Sequence, residues 1–290
     1  MKQPFLTIVV SLLLCLGSES MAQSPHLVIP RTPRTSQGAQ VTQVIGMSSV
    51  TITYHRPGVK GRMIWGPKGS KALLPYGEVW RAGANEPTLI TFSDDVTING
   101  KPLKAGTYRF ALIPDNRLWA LIFNSETDGS GAVYHQEHDV LRINVRPASG
   151  PNEEWLSYSF ENLTPSSAEV VLAWQRVRIG FTVQFNLLEK LQASVGDWRV
   201  LNSATRFAVD NGVYLLEAET WINRSIALDK NPTNLQTKAE LLAKRGRMPE
   251  AIRTAEEALT MVMKSSGLSG ANRQQAAALR QLIDEFRKRR

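Results

Sequence analysis

The chain has 290 residues, with 34 Lys and Arg against 26 Asp and Glu, a net charge of +8, 42% apolar residues and 21% charged. These proportions exclude a disordered or collagen-like chain and allow about two domains. The terminal run Arg287 to Arg290 supplies much of the basic excess and no nucleic-acid-reading motif occurs, which makes nucleic acid an unexpected partner.

Residues 1–22 read MKQPFLTIVVSLLLCLGSESMA. Lys2 precedes an apolar run from Phe5 to Leu16, and Ser20 and Ala22 place small residues before a cut ahead of Gln23. This is the pattern of a cleaved signal peptide, so an exported protein, secreted or periplasmic, is expected. The run is shorter than the ~20 residues of a membrane anchor, and no later segment is apolar enough to span. Cys15, the only cysteine, lies inside the run and follows Leu14, unlike a lipid-attached cysteine. Its removal would leave a mature chain without disulfides, thiolate metal sites or cysteine nucleophiles.

Residues 23–40 are rich in Pro, Ser, Thr and Gln and read as an extended leader. From 41 to 186 the apolar residues alternate, as in Val50, Ile52 and Tyr54, then Tyr108, Phe110 and Leu112, and later Leu156, Tyr158 and Phe160. Further runs are Leu141 to Val145, Val170 to Trp174 and Ile179 to Phe185. One apolar face per strand predicts an antiparallel β-sandwich of about nine strands. Leu118–Phe123 is apolar on both faces and reads as a central strand. Asn99-Gly100, Ala105-Gly106, Pro114-Asp115-Asn116 and Gly129-Ser130-Gly131 mark turns.

After Asn186 the period becomes helical, making the whole chain a β domain followed by an α domain over 187–290. Helices are expected over Trp198–Val209 with Asp197 as N-cap, Tyr214–Asp229, Asn234–Lys244 and Pro249–Met263, with Pro249 at the first helical position. Glu217-Ala218 and Glu250-Ala251 lie 33 residues apart, close to the tetratricopeptide (TPR) spacing, so a TPR-like repeat is expected. Residues 271–290 would cap the stack. A plain helical bundle is the alternative.

The most unusual stretch is YHRPGVKGRMIWGPKGSKALLPYGEVWRAGANEP. Between His55 and Gly83 it holds five Gly and three Pro, so it reads as a long loop. Arg56, Lys60, Arg62, Trp65, Trp80 and Arg81 combine cations with aromatics and are candidates for binding an anionic or sugar-like ligand. Arg81, Asn85 and Glu86 form a second polar group. Against these stand two structural readings. The Trp rings would plug the end of the sandwich, and Arg81 would pair internally with Glu86.

The motifs Tyr54-His55-Arg56-Pro57-Gly58-Val59-Lys60-Gly61-Arg62, Ile64-Trp65-Gly66, Pro75 to Glu86, Gly106-Thr107-Tyr108 and Asp139-Val140-Leu141-Arg142 carry a family resemblance. Over about residues 24–186 the chain resembles the bacterial family known as domain of unknown function 2911. His55 departs from the small hydroxyl residue expected there. The resemblance implies a bacterial envelope protein, with trailing helical repeats in some members. It supplies no activity, substrate or catalytic residue.

His135 and His138 are weak metal candidates. On a strand their offset of three would place them on opposite faces, whereas a turn would let them converge. No His-Glu-x-x-His, Gly-x-Ser-x-Gly or dinucleotide fingerprint occurs. No cofactor and no catalytic residue is therefore assigned. The expected function is a binding or scaffold role, using the 55–86 loop and a helical face for a protein or peptide partner. A hydrolase or lyase acting on an anionic envelope glycan is the alternative.

Overall fold

The computed structural model describes residues 32–128, 133–193, 196–264 and 270–289. The signal segment, leader residues 23–31 and the Gly129–Gly131 turn lie outside the described residues. Among these residues a β region is followed by six helices. Among the described residues no helix is long and apolar enough to cross a membrane.

One sheet is formed by β1 (Gln37–Ile45), β2 (Ser48–Arg56), β5 (Thr88–Phe92), β8 (Gly106–Ile113), β9 (Trp119–Asn124) and β10 (Asp139–Val145), in that order and antiparallel throughout. The second sheet runs β11 (Ala148–Glu161), β12 (Ser167–Phe185), β6 (Val96–Ile98) and β7 (Lys101–Leu103). A two-residue parallel pair, β3 (Trp65–Gly66) and β4 (Leu74–Pro75), sits in the long loop. The expected alternation sorts faces: Ile52, Ile90, Phe110, Leu121 and Phe123 meet Leu156, Leu172, Trp174 and Phe181 in a single core. β9 is interior, flanked by β8 and β10. β1 begins within the segment read as leader, because Gln37 to Gln40 pair with Thr53 to Arg56.

Two apparent strands turn out to be one. β12 contributes to the core at 168, 170, 172 and 174, then at 179, 181, 183 and 185. The parity changes across Gln175, which has φ +56 and pairs with Glu153 where the β11 register shifts. The left-handed residue changes which face later side chains take, so core contact resumes at 179 and runs to the strand's end, while the surplus residues lie on β11, four from Glu153 to Ser157 against two from Ala173 to Gln175. The Asn99-Gly100 turn joins β6 to β7 with both residues at positive φ, as a two-residue hairpin requires.

The helices are α1 (Leu187–Ala193), α2 (Trp198–Asn211), α3 (Leu215–Leu228), α4 (Pro232–Lys244), α5 (Met248–Lys264) and α6 (Gly270–Lys288). Asp197 caps α2 by accepting from the Arg199 N–H, and Gly212 closes it in the left-handed conformation at φ +67. Asn231 and Asn234 form a reciprocal capping box, so α4 starts at Pro232, two residues earlier than expected. α5 starts at Met248, which places Pro249 at its second position. Ala218 and Ala251, the offset pair, are both fully buried between helices.

Candidate functional site

The 55–86 excursion contains almost no regular strand, yet it is tied down on two sides. The Val59 N–H donates to Glu154 O (2.8 Å) and the Leu156 N–H to Pro57 O (3.1 Å), which stitches the first part to β11. Trp80 exchanges backbone hydrogen bonds with Leu112 of β8, both 2.7 Å. Arg62 closes its own turn, its Nε donating to Val59 O and its second terminal nitrogen to Gly58 O (2.6 Å).

The tryptophans fill the end of the sandwich, as their size favours. Trp65 meets Trp119, Trp80 and Trp174 edge-on at centroid distances of 4.7, 5.4 and 5.6 Å, and Trp80 stacks on Trp174 at 5.7 Å. Trp80 is 9% exposed and its Nε1 donates to Gly83 O. The buried Nε1 atoms of Trp65 and Trp174 have no hydrogen-bond partner among the described residues.

Arg81 follows Trp80 on a turn whose geometry is heavily determined. Ala82 is fully buried at φ +55, a conformation costly for a residue with a Cβ. Its carbonyl accepts from Tyr158 Oη (2.9 Å) and Thr88 Oγ1 (3.0 Å). Burial pushes the Tyr158 hydroxyl well above its ordinary pKa, so it remains a donor. At Gly83 a Cβ would meet Thr88 Oγ1 at 2.7 Å, so only glycine fits there.

This turn presents Arg81 to an open cavity of about 300 Å³. Lys60, Arg62, Trp80, Trp174, Leu73 and Leu74 line it as well, with Thr35 and Ser36 of the leader. None of the lining residues is acidic or a histidine. Arg81 is half-buried, and its side chain has no hydrogen bond or ion pair among the described residues. Arg56 and Trp155 line a neighbouring cavity. Trp65 lines neither and belongs to the plug.

Asn85 and Glu86 are not brought to Arg81. Asn85 Nδ2 donates to Ser36 O (2.9 Å), and the Glu86 carboxylate accepts from Arg34 (2.6 Å) and lies 3.3 Å from His55 Nε2. The hydrogen bond from Arg34 holds the Glu86 carboxyl below its usual range. Burial lowers the His55 pKa, with Glu86 opposing. The internal pairing expected for Arg81 therefore goes to Arg34 instead, and its effect is to strap the leader over the cavity. No signal in the sequence indicates that residues 34–36 complete this wall, and Trp174 reads there only as a core residue.

His135 and His138 flank a 3₁₀ turn with ring centroids 6.1 Å apart. His135 Nδ1 lies 2.9 Å from Glu126, whose carboxylate raises its pKa. Among the described residues no three His, Cys, Asp or Glu side chains are placed to share a metal ion. Nearby, Arg109 is 3% exposed on the outer face of β8 and donates to Val133 O (2.9 Å).

In comparison with known proteins, residues 36–183 match the family model described as protein of unknown function (DUF2911). No curated protein and no solved structure shows a match to the chain.

Proposed function

The chain belongs to the DUF2911 family, and from that premise we propose that its sandwich is a binding module for an anionic ligand, received in the cavity between Lys60, Arg62 and Arg81. The observation that carries this reading is Arg81. Its side chain has no acceptor among the described residues, so its donors are open to a ligand from solvent. An oxyanion in the cavity would supply the missing partner, with two parallel N–H donors available to it. Lys60 and Arg62 add charge of the same sign, and no lining carboxylate competes. Ala82 and Gly83 fix the backbone at Arg81 before any ligand arrives, which lowers the backbone part of the ordering cost of binding.

The same lining favours binding over a hydrolase. Glycoside hydrolysis uses paired carboxylates, and none lines the cavity. We further propose that the chain acts in the bacterial envelope after removal of residues 1–22, and that helices α2–α6 contact a protein or peptide.

The test is calorimetric titration of residues 23–290 with sulfate, phosphate and galacturonate. At least one should bind, and Arg81→Ala should weaken it tenfold or more, about 1.4 kcal/mol. Absence of binding by all three would remove the proposal. Mass spectrometry of the exported protein should find Gln23 at its N-terminus.

A further inference from the structure

Next to the cationic cavity lies a second one, of about 280 Å³, lined by Gln37, Arg56 and Trp155. Gln37 and Arg56 face each other across β1 and β2. Trp155 is 42% exposed, unlike Trp65, Trp80, Trp119 and Trp174, whose rings pack together. Arg56 is anchored by its Nε on Leu156 O (2.8 Å), which leaves its terminal nitrogens without a partner among the described residues.

The partition between the cavities is thin. Gly58 lines the first, and a Cβ there would come within 3.1 and 3.3 Å of ring carbons of Trp155, which lines the second. One glycine backbone therefore separates them. The Glu154 carboxylate, 3.1 Å from the same point, is taken up by the Lys60 N–H (2.9 Å).

Resting on the binding reading above, we infer that the ligand is a stretch of uronate-bearing glycan that crosses Pro57–Gly58. One unit places its carboxylate on Arg81, and a following unit stacks on Trp155 with its carboxylate on Arg56. Each cavity is at the small end of ligand sites, about 300 Å³. A compact anion fills the first and has no use for the second. A glycan supplies what both ask for: anionic groups repeated along a chain for Arg81 and Arg56, and apolar ring faces between them for an accessible indole. Planar guanidinium groups suit carboxylates held in two-point contact.

The experiment titrates residues 23–290 with galacturonate and with its dimer and tetramer. Affinity should rise at least tenfold from monomer to tetramer. Trp155→Ala should remove that gain and leave the monomer within twofold, while Trp155→Phe should keep part of it and Arg81→Ala should weaken every length. Trp155 is exposed, so the thermal midpoint of Trp155→Ala should match the parent and exclude misfolding. Monomer binding that gains nothing with length, or a gain insensitive to Trp155→Ala, would overturn this inference and leave the anion site standing. So would binding of sulfate or phosphate without galacturonate, or tighter binding of polyphosphate or single-stranded DNA than of the tetramer. Failure of every anion would instead remove the underlying reading.

Discussion

In the helical region several arginines are matched to carboxylates. Arg206 pairs with Glu240, Glu219 takes both Arg245 and Arg247, Arg247 also reaches Glu250, and Arg287 meets Glu256. At the open end of the sandwich, Lys60 and Arg81 have no side-chain partner among the described residues, and Arg62 bonds only to backbone carbonyls. Both regions are rich in Lys and Arg. The difference lies in where the fold delivers carboxylates: helix packing brings Glu219 and Glu240 onto neighbouring arginines, whereas the loop sends Glu86 to Arg34, away from Arg81. Charge that stabilises in one region is left available in the other.

The largest expected effect tests the frame of the cavity. Trp80→Ala removes a ring stacked on Trp174 and edge-on to Trp65, and should cost about 3–5 kcal/mol in urea unfolding. A loss below about 1 kcal/mol would mean that the plug does not hold the loop.

The charge comparison itself is sharpened by Glu219→Ala against Arg81→Ala. Removing Glu219 breaks two ion pairs between α3 and the α4–α5 turn and should destabilise by about 1–2 kcal/mol. Removing Arg81 breaks none, so unfolding should be unchanged within about 0.5 kcal/mol while anion binding is lost. Equal destabilisation by both would erase the distinction.

The smallest effect concerns pH. His55 has its pKa lowered by burial, so the unfolded chain takes up a proton first as pH falls through about 6.5. Its contribution is present above that value and declines below it. His135, raised by Glu126, has the opposite sign: its contribution is present below about 6.5 and is lost as pH rises through its folded value. His55→Gln should therefore flatten the decline in thermal midpoint below pH 6.5, and His135→Gln should reduce stability on the acidic side. The same response from both variants would contradict the burial of His55 or the placement of Glu126 beside His135.

Much of the architecture was legible from local pattern. Alternation at Val50, Ile52 and Tyr54, or at Tyr108, Phe110 and Leu112, places side chains on one face whatever the neighbouring strand is. Asp197 and Gly212 mark the ends of α2 because capping is decided within a few residues. The register shift opposite Gln175 was not legible, since surplus residues on β11 show only against the partner strand. Of the site, the loop and its cations could be read, but the division of labour within Arg81, Asn85 and Glu86 could not. Arg34, 52 residues from Glu86, competes for that carboxylate only once the chain has folded.

The sequence by itself determined two regions of different period, the composition of the long loop and the excess of cations within it, because these depend on residues close together in the chain. Which cations found carboxylates, which tryptophans were buried and which one stayed exposed, and where a cavity remained were decided by the tertiary structure. Charge pairing, desolvation and void space arise from groups that meet only when distant segments pack, as Ser36, Gly58, Arg81 and Trp174 do around one opening.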